Sequence, residues 1–455
     1  MKQLQRVLFV LVLVVFALFA FYTYNVDNEK DFSPNTSDLI KRVKHLEELV
    51  EVENKRIDNI QEVYQKVIRP NRLLHKENSI DTVSQLSNNT CSKPIAVLIF
   101  VCDRAAAIKS QLNKLLKYRK SKELFPIIVS QDCDNQSVVN VVKSFGPDVE
   151  YIKHESGEHA HVTASPGRGI YKTYYLISRH YKLGLSYVFD KRNFDSVIIV
   201  EDDLDISEDF FEYFCGTRWL LDADPSLFCV SAWNDNGRAS LIDLTGHQKL
   251  YRSDFFPGLG WLMTNKLWQE VGPNWPTGFW DDWIRDPLRR KGRSCIRPEI
   301  SRTAMTLAGQ KGASKGLFFN YYLKKILLNN VPVQFTTMDL SYLLKSNYDP
   351  KFIKEVYELP LISIDDFLKL SGKGSTLRIE YKSMPEYTTI AKRLRIMADT
   401  KAGVQRTAYK GVVSCFTKGN RVYLAPKNPS TWKYDPAWEA PSDVLNPIDR
   451  ENNEK

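Results

Sequence analysis

Three acids, Glu201-Asp202-Asp203, close an apolar run. Crowded carboxylates repel one another unless a cation sits among them. A hard divalent ion such as Mg²⁺ or Mn²⁺, carrying phosphate oxygens as its other ligands, would supply that cation. The plainer reading is an acidic turn after a strand. A second pair, Asp281 and Asp282, lies between Phe279-Trp280 and Trp283. Apolar surroundings raise a carboxylate pKa and make it a stronger base. Equally, one of the two acids is placed to cap the helix running through Ile284 and Arg285. Between these clusters stands FFPGLGW, residues 255–261. Aromatic faces stack on sugars and glycine admits close backbone approach, so such a turn suits a sugar site. Residues 301–316, SRTAMTLAGQKGASKG, have the small, polar and basic composition of a loop that closes over a diphosphate.

A frame must hold these groups. Val197 to Val200 reads as a buried strand, and the acids follow its C-terminal end, where open α/β sheets bind ligands. Ile95 to Val101, Phe125 to Val129 and Val149 to Ile152 read as further strands. Helical stretches around Ile108 to Tyr118 and Val138 to Ser144 alternate with them. Such alternation predicts a doubly wound sheet. Neither GxGxxG nor GxxxxGK[ST] occurs, so the phosphates of a bound nucleotide would need a metal. Tyr171 to Tyr187 reads as a helix carrying His180, and a lone helical histidine is usually a packed or surface residue. Phe210 to Phe214 reads as a helix and Leu227 to Trp233 as a strand. From Phe318 the pattern is helical to Leu328, then mixed, with strands at Val412-Val413 and Val422 to Leu424.

The 455 residues carry a net charge of +9, but no Lys/Arg block or basic-aromatic repeat, which disfavours a nucleic-acid partner. Residues 7–24 are almost wholly apolar and long enough, at about 27 Å of helix, for a thin bilayer. Lys2 and Arg6 precede the run and Asp27, Glu29 and Asp31 follow it. The expectation is an uncleaved signal anchor with the bulk of the chain luminal, in preference to a cleaved signal peptide. Residues 37–67 carry an irregular heptad-like pattern, a stem helix with scope for self-association. Asn35, Asn88 and Asn135 head glycosylation sequons. Of seven cysteines, Cys102 and Cys133 end adjacent expected strands, so a bridge between them is reasonable. The odd count leaves at least one free thiol or intermolecular bridge, and the states of Cys91, Cys215 and Cys415 stay open. His159-Ala-His161 is a weak metal pair with no third ligand nearby.

The blocks VCDR (101–104), ELFPIIVSQDC (123–133), VEDDLDIS (200–207), ADPSLFCVSAWNDNG (223–237), FFPGLGW, FWDDWIR (279–285) and IRPEISRT (296–303) together resemble the N-acetylglucosaminyltransferase I family of animal Golgi enzymes. The resemblance implies a GT-A nucleotide-sugar-binding, Rossmann-like α/β domain with a smaller mixed C-terminal domain. It implies inverting transfer of GlcNAc from UDP-GlcNAc to the 2-hydroxyl of a mannose in an oligomannose N-glycan, with Mn²⁺ as cofactor. By position, Asp203 would be the protein ligand of the metal and Asp202 would contact the nucleotide-sugar. Arg104, Asp132 and His180 would hold its uridine and sugar parts, Ser314 would contact the diphosphate, and Asp281 would be the general base. Cys102–Cys133 and Cys229–Cys295 would be the disulfides. Residues 154–169 match poorly and receive no role.

The expected organisation is a cytoplasmic tail (1–6), anchor (7–24), luminal stem (25–93), catalytic domain (94–316), C-terminal domain (317–440) and frayed tail (441–455), in a Golgi type II membrane protein. The competing readings are a related transferase acting on another acceptor such as O-linked mannose, and a non-catalytic Golgi glycan-binding protein. A metal-dependent hydrolase would want more metal ligands than one acid-rich strand end supplies.

Overall fold

A computed structural model describes Cys91, residues 93–157, His159, residues 171–313 and residues 316–427. The expected anchor, the stem apart from Cys91 and Lys93, and the frayed tail lie outside the described residues, as do Asn35, Asn88, His161 and Ser314. Among the described residues no helix is long and apolar enough to cross a membrane.

The frame is an eight-stranded mixed sheet. Its strands are β1 (Ala96–Val101), β2 (Ile127–Gln131), β3 (Val149–Lys153), β4 (Ser196–Glu201), β6 (Leu227–Ser231), β7 (Leu250–Ser253), β8 (Trp261–Thr264) and β9 (Ser294–Pro298). Their order is β3-β2-β1-β4-β8-β6-β9-β7. Strands β3, β2, β1 and β4 run parallel, and β8 returns antiparallel to β4. Helices α1 (Ala105–Tyr118) and α2 (Gln136–Lys143) make the crossovers from β1 to β2 and from β2 to β3. The chain winds outward from β1 to β3 and then re-enters at β4 on the other side of β1. The strand order therefore reverses between β1 and β4, where a ligand crevice forms at the C-terminal strand ends.

Alternation explains why β1 lies at the centre. Val97, Ile99 and Val101 join one core, while Ala96, Leu98 and Phe100 join the core on the opposite face. A strand buried on both faces reads as an unbroken apolar run. Each of the larger of these side chains contributes about 1.5–3 kcal/mol by leaving water. Helix α3 (Lys172–Ser186) covers the second face with Tyr181 and Leu185.

Strand β5 (Leu204–Ile206) follows the acids and pairs antiparallel with β10 (Thr303–Met305). The expected loop at 301–316 is thus ordered in its first part. Arg302 is fully buried and pairs with Asp209 at 3.1 Å, so it is not available to a diphosphate. The expected helix from Phe318 to Leu328 is also shorter. It spans Leu317–Tyr321 and passes into a 3-10 turn at Leu323–Lys325. Beyond that the backbone pairs elsewhere, Leu327 N donating to the Gly237 carbonyl at 2.9 Å.

The C-terminal region has its own core. Strands β11 (Thr376–Tyr381), β14 (Val413–Thr417) and β15 (Asn420–Pro426) form a sheet in the order β11-β15-β14, and β12 (Thr400–Lys401) pairs with β13 (Val404–Gln405). The expected strands near residues 412 and 422 are present, joined by a turn at Lys418-Gly419. Leu241 and Phe255 from the larger sheet region share this core.

Candidate active site

Phe100 and Glu201 are register partners at the ends of β1 and β4, so both chains leave the sheet at one edge. From the β1 exit comes Arg104; from the β4 exit come Asp202 and Asp203. Arg104 Nε donates to Asp202 Oδ2 at 3.1 Å, and its Nη1 donates to Asp203 Oδ2 at 2.9 Å and to the Ala308 carbonyl at 3.1 Å. Its Nη2 also meets Asp202 Oδ1. The counter-charge that three crowded acids require is thus partly the protein's own. Burial disfavours the guanidinium charge, but Asp202 and Asp203 outweigh it and hold Arg104 protonated. Burial pushes Asp202 up to about 7 against the pull of Arg104. Glu201 also rises to about 7, through burial and the charge of Asp203, while Tyr181 donates its hydroxyl to Glu201 Oε1 at 2.7 Å.

One oxygen in this cluster has no partner. Asp203 Oδ1 is buried without a hydrogen bond among the described residues. An unpaired buried carboxylate oxygen is costly, and a hard divalent cation is the partner it suits. Glu201, Asp202 and Asp203 do not bring three oxygens within 4.8 Å of one another. Among the described residues, the group of three metal-type donors within 4.8 Å of one another is Cys102, Asp132 and Cys133, and its two sulfurs are bonded to each other. Asp203 therefore fits a single protein contact to a metal whose remaining ligands come from substrate and solvent.

The second acidic pair stands on helix α4 (Trp280–Arg285). Neither acid caps it. Phe279 occupies the cap in a left-handed conformation, with φ at 53° and no side-chain cap bond. Arg285 Nη1 holds Asp281 Oδ2 and Asp282 Oδ1, each at 2.9 Å. Asp282 also accepts from Lys401 Nζ at 3.1 Å. Burial raises the Asp282 pKa, but Arg285 and Lys401 outweigh it and hold the carboxyl below the usual range. The expected upward shift from the flanking tryptophans is absent there because the cations dominate. Asp281 is the open member, its side chain 43% exposed against 12% for Asp282. Trp280 stacks on Tyr181 at 4.2 Å, and the charges of Asp203 and Asp281 both raise the Glu201 pKa. The two acidic clusters thus share one electrostatic neighbourhood.

A third cluster lies at the end of β2. His180 Nδ1 is 3.2 Å from Asp132 Oδ1, and His180 Nε2 is 2.9 Å from Ser130 Oγ. His154 Nε2 reaches the same hydroxyl at 3.0 Å. The Cys102–Cys133 disulfide joins the β1 and β2 exits and so ties Arg104 to Asp132.

The sequence matches the GNT-I family over residues 4–438. The chain belongs to the GNT-I family. An Arabidopsis thaliana alpha-1,3-mannosyl-glycoprotein 2-beta-N-acetylglucosaminyltransferase is 40% identical over 320 residues, 70% of each chain. More distant solved structures include TarS 1-349 from S. aureus, 13% identical with a TM-score of 0.33 over 47% of this chain and 60% of that one. Glucosyl-3-phosphoglycerate synthase from Mycobacterium tuberculosis is 12% identical with a TM-score of 0.31, over 51% of this chain and 80% of that one.

In this GNT-I chain, Arg104, Asp202 and Asp203 touch one another, and Asp132 and His180 form a pair beside them. Ser314 lies outside the described residues. The rings of FFPGLGW do not line an open site: Phe255, Phe256 and Trp261 are at most 1% exposed and pack in the cores. Glycine still earns its place there, since Gly258 and Gly260 adopt φ of 68° and 89°. His159 is exposed and sits 3.2 Å from Asp134, an ion-pair geometry. Cys229–Cys295 is bonded as the resemblance implied, and a third bridge joins Cys91 to Cys215, leaving Cys415 free and buried.

The sequence reading missed Tyr181, Ser130, His154 and Lys401. Ser130 lies two positions before Asp132, so strand alternation gives a signal for it, whereas helix periodicity gives none for Tyr181, one position from His180. Lys401 lies over a hundred residues from Asp282, and no local pattern announces it.

Proposed function

We infer that this GNT-I chain transfers GlcNAc from UDP-GlcNAc, with inversion, to the 2-hydroxyl of the α-1,3-linked mannose of an oligomannose N-glycan. The observation that carries the reading is the contrast between two carboxylates that share one electrostatic neighbourhood. Asp203 has a buried oxygen with no hydrogen-bond partner among the described residues, and Asp281 has an open carboxylate. Inversion in one step needs a leaving-group stabiliser on one face and a base on the other.

Asp281 accepts the proton of the mannose 2-hydroxyl. The freed oxygen forms a bond to the anomeric carbon as the bond from that carbon to the UDP oxygen breaks, and UDP departs with the electron pair. Arg285 keeps Asp281 oriented through its 2.9 Å bond. Asp132 and His180 hold the uracil, Arg104 and Asp202 orient the diphosphate-sugar, and Ser314 contacts the diphosphate. Asp203 would hold a divalent cation, Mn²⁺ in this reading, which would supply charge neutralisation to the diphosphate. The N-terminal apolar run anchors the protein in the Golgi membrane as a type II protein with its catalytic region luminal, and the stem offers a surface for self-association.

The test is transfer by the full-length protein in detergent with Mn²⁺, an oligomannose N-glycan and a panel of UDP-sugars, read by product mass. One added HexNAc from UDP-GlcNAc alone, blocked by EDTA, is the expected result. Transfer only to an O-mannosyl peptide would replace the acceptor assignment. UDP-sugar binding without transfer to either would replace the enzyme with a binding protein.

A further inference from the structure

We propose that His154 is a positioning residue for the nucleotide: through Ser130 it locks His180 in the tautomer whose Nδ1–H faces Asp132. The inference rests on the reading that Asp132 and His180 hold the uracil.

The geometry is a four-membered chain. Ser130 is fully buried on β2 between the two imidazoles. Its hydroxyl lies 2.9 Å from His180 Nε2 and 3.0 Å from His154 Nε2. A hydroxyl has one proton to donate, so it serves one ring as donor and accepts from the other. The direction is set at the far end. His180 Nδ1 stands 3.2 Å from Asp132 Oδ1, and an ionised carboxylate only accepts. The Nδ1 of His180 therefore carries a proton. Burial keeps His180 neutral, so its Nε2 is bare and accepts from Ser130. Ser130 Oγ then accepts from His154 Nε2–H. Every proton in the chain points from His154 toward Asp132.

The sequence positions fit this role. His154 follows the last residue of β3, and its backbone N–H donates to the Gln131 carbonyl at 2.8 Å, which fixes the ring beside the β2 end. Phe100 meets the His180 ring edge-on at 4.8 Å and blocks rotation of the imidazole. Asp132 favours the Nδ1–H tautomer from one side, and His154, by donating to Ser130, turns the hydroxyl proton onto His180 Nε2 from the other. Without the His154 donor, the Ser130 hydroxyl is free to turn from His180 Nε2 and to accept from it instead, which leaves Asp132 alone to hold the tautomer. His180 then samples both tautomers, and in the wrong one its bare Nδ1 faces the Asp132 carboxylate.

The test compares His154→Ala, His154→Gln, His154→Asn and His180→Ala in the full-length protein. Donor KM, acceptor KM and kcat are measured, together with imidazole ¹⁵N shifts in histidine-labelled protein. His154→Ala should raise the donor KM about tenfold, with kcat and acceptor KM unchanged, and should move the His180 ¹⁵N shifts to a tautomer mixture. His154→Gln places an amide donor near the lost Nε2–H and should restore both readouts; the shorter Asn should not. If His154→Ala fails to fold, the Gln and Asn pair decides, and equal donor KM values for them would overturn the proposal. An unchanged donor KM in His154→Ala, beside a raised one in His180→Ala, would overturn the relay alone. No effect of His180→Ala on donor KM would overturn the uracil-site reading beneath it.

Discussion

Arg285 Nη1 stands 2.9 Å from Asp281 Oδ2, one helical turn along the same short helix. The bond occupies one carboxylate oxygen and leaves the other free for a hydroxyl proton. Asp282, three residues before the same arginine, is enclosed by two cations instead. Asp281→Asn should lower kcat by about 10²–10⁴-fold while UDP binding, followed by calorimetry, stays near wild type. Asp282→Asn should act on stability, costing about 3 kcal/mol in urea unfolding because Lys401 and Arg285 lose a buried partner. A reversal of these two phenotypes would reassign the base.

Asp203 carries the metal prediction. EDTA should abolish transfer, and Mn²⁺ should restore it. In Asp203→Ala the dependence of UDP affinity on Mn²⁺ should vanish, together with turnover. Titration of bound Mn²⁺ by electron paramagnetic resonance provides the direct readout. Undiminished Mn²⁺-dependent UDP binding in that variant would place the cation elsewhere.

Asp132 sets a pH dependence. Burial pushes its pKa from 3.8 up to about 6. The neighbouring imidazoles are held neutral, His154 falling to about 4 and His180 also depressed by burial. The group that titrates near pH 6 is therefore the carboxylate. As pH falls through about 6 it gains a proton and ceases to accept from a uracil N–H. The donor kcat/KM should fall in step, and Asp132→Asn should show no inflection there. The stability linkage has the opposite sense. The folded pKa lies above the unfolded one, so the native state holds the extra proton between about 4 and 6. This group's contribution to stability is greatest below that window and is lost as pH rises through it.

The Cys91–Cys215 bridge closes a span of 124 residues. Removing it with a Cys91→Ser, Cys215→Ser pair should cost about 2–4 kcal/mol of unfolding free energy. Non-reducing peptide mapping should recover three bridges and an unmodified Cys415. Recovery of a Cys415 bridge would contradict the pairing.

The central strands were legible because β1 and β4 are buried on both faces and their apolar runs stop at polar residues. The switch point followed from those runs, and with it the neighbourhood of Arg104, Asp202 and Asp203. Local pattern failed where a distant partner decides the outcome. Leu327 leaves the helical register because Gly237 offers its carbonyl. Asp282 is depressed by Arg285 on its own helix and by Lys401, and only the second arrives from another part of the chain. The rings of FFPGLGW read as a sugar platform, yet burying aromatic surface outweighed exposing it. Cys91 and Cys215 carry no signal that pairs them, since spacing alone does not define connectivity.

Lys401 belongs to the small β12–β13 hairpin, yet its ammonium lies 3.1 Å from an acid on the helix that bears Asp281. Arg406, just beyond the hairpin, likewise reaches Asp235 at 3.1 Å. The C-terminal region is thus not a passenger that recombination can exchange freely. A chimera spliced near residue 316 would inherit Asp282 without the lysine matched to it. Its Asp281 helix would settle in a different field, even with every other residue of the proposed site intact. Within such a lineage, residues 282 and 401 should change together or not at all.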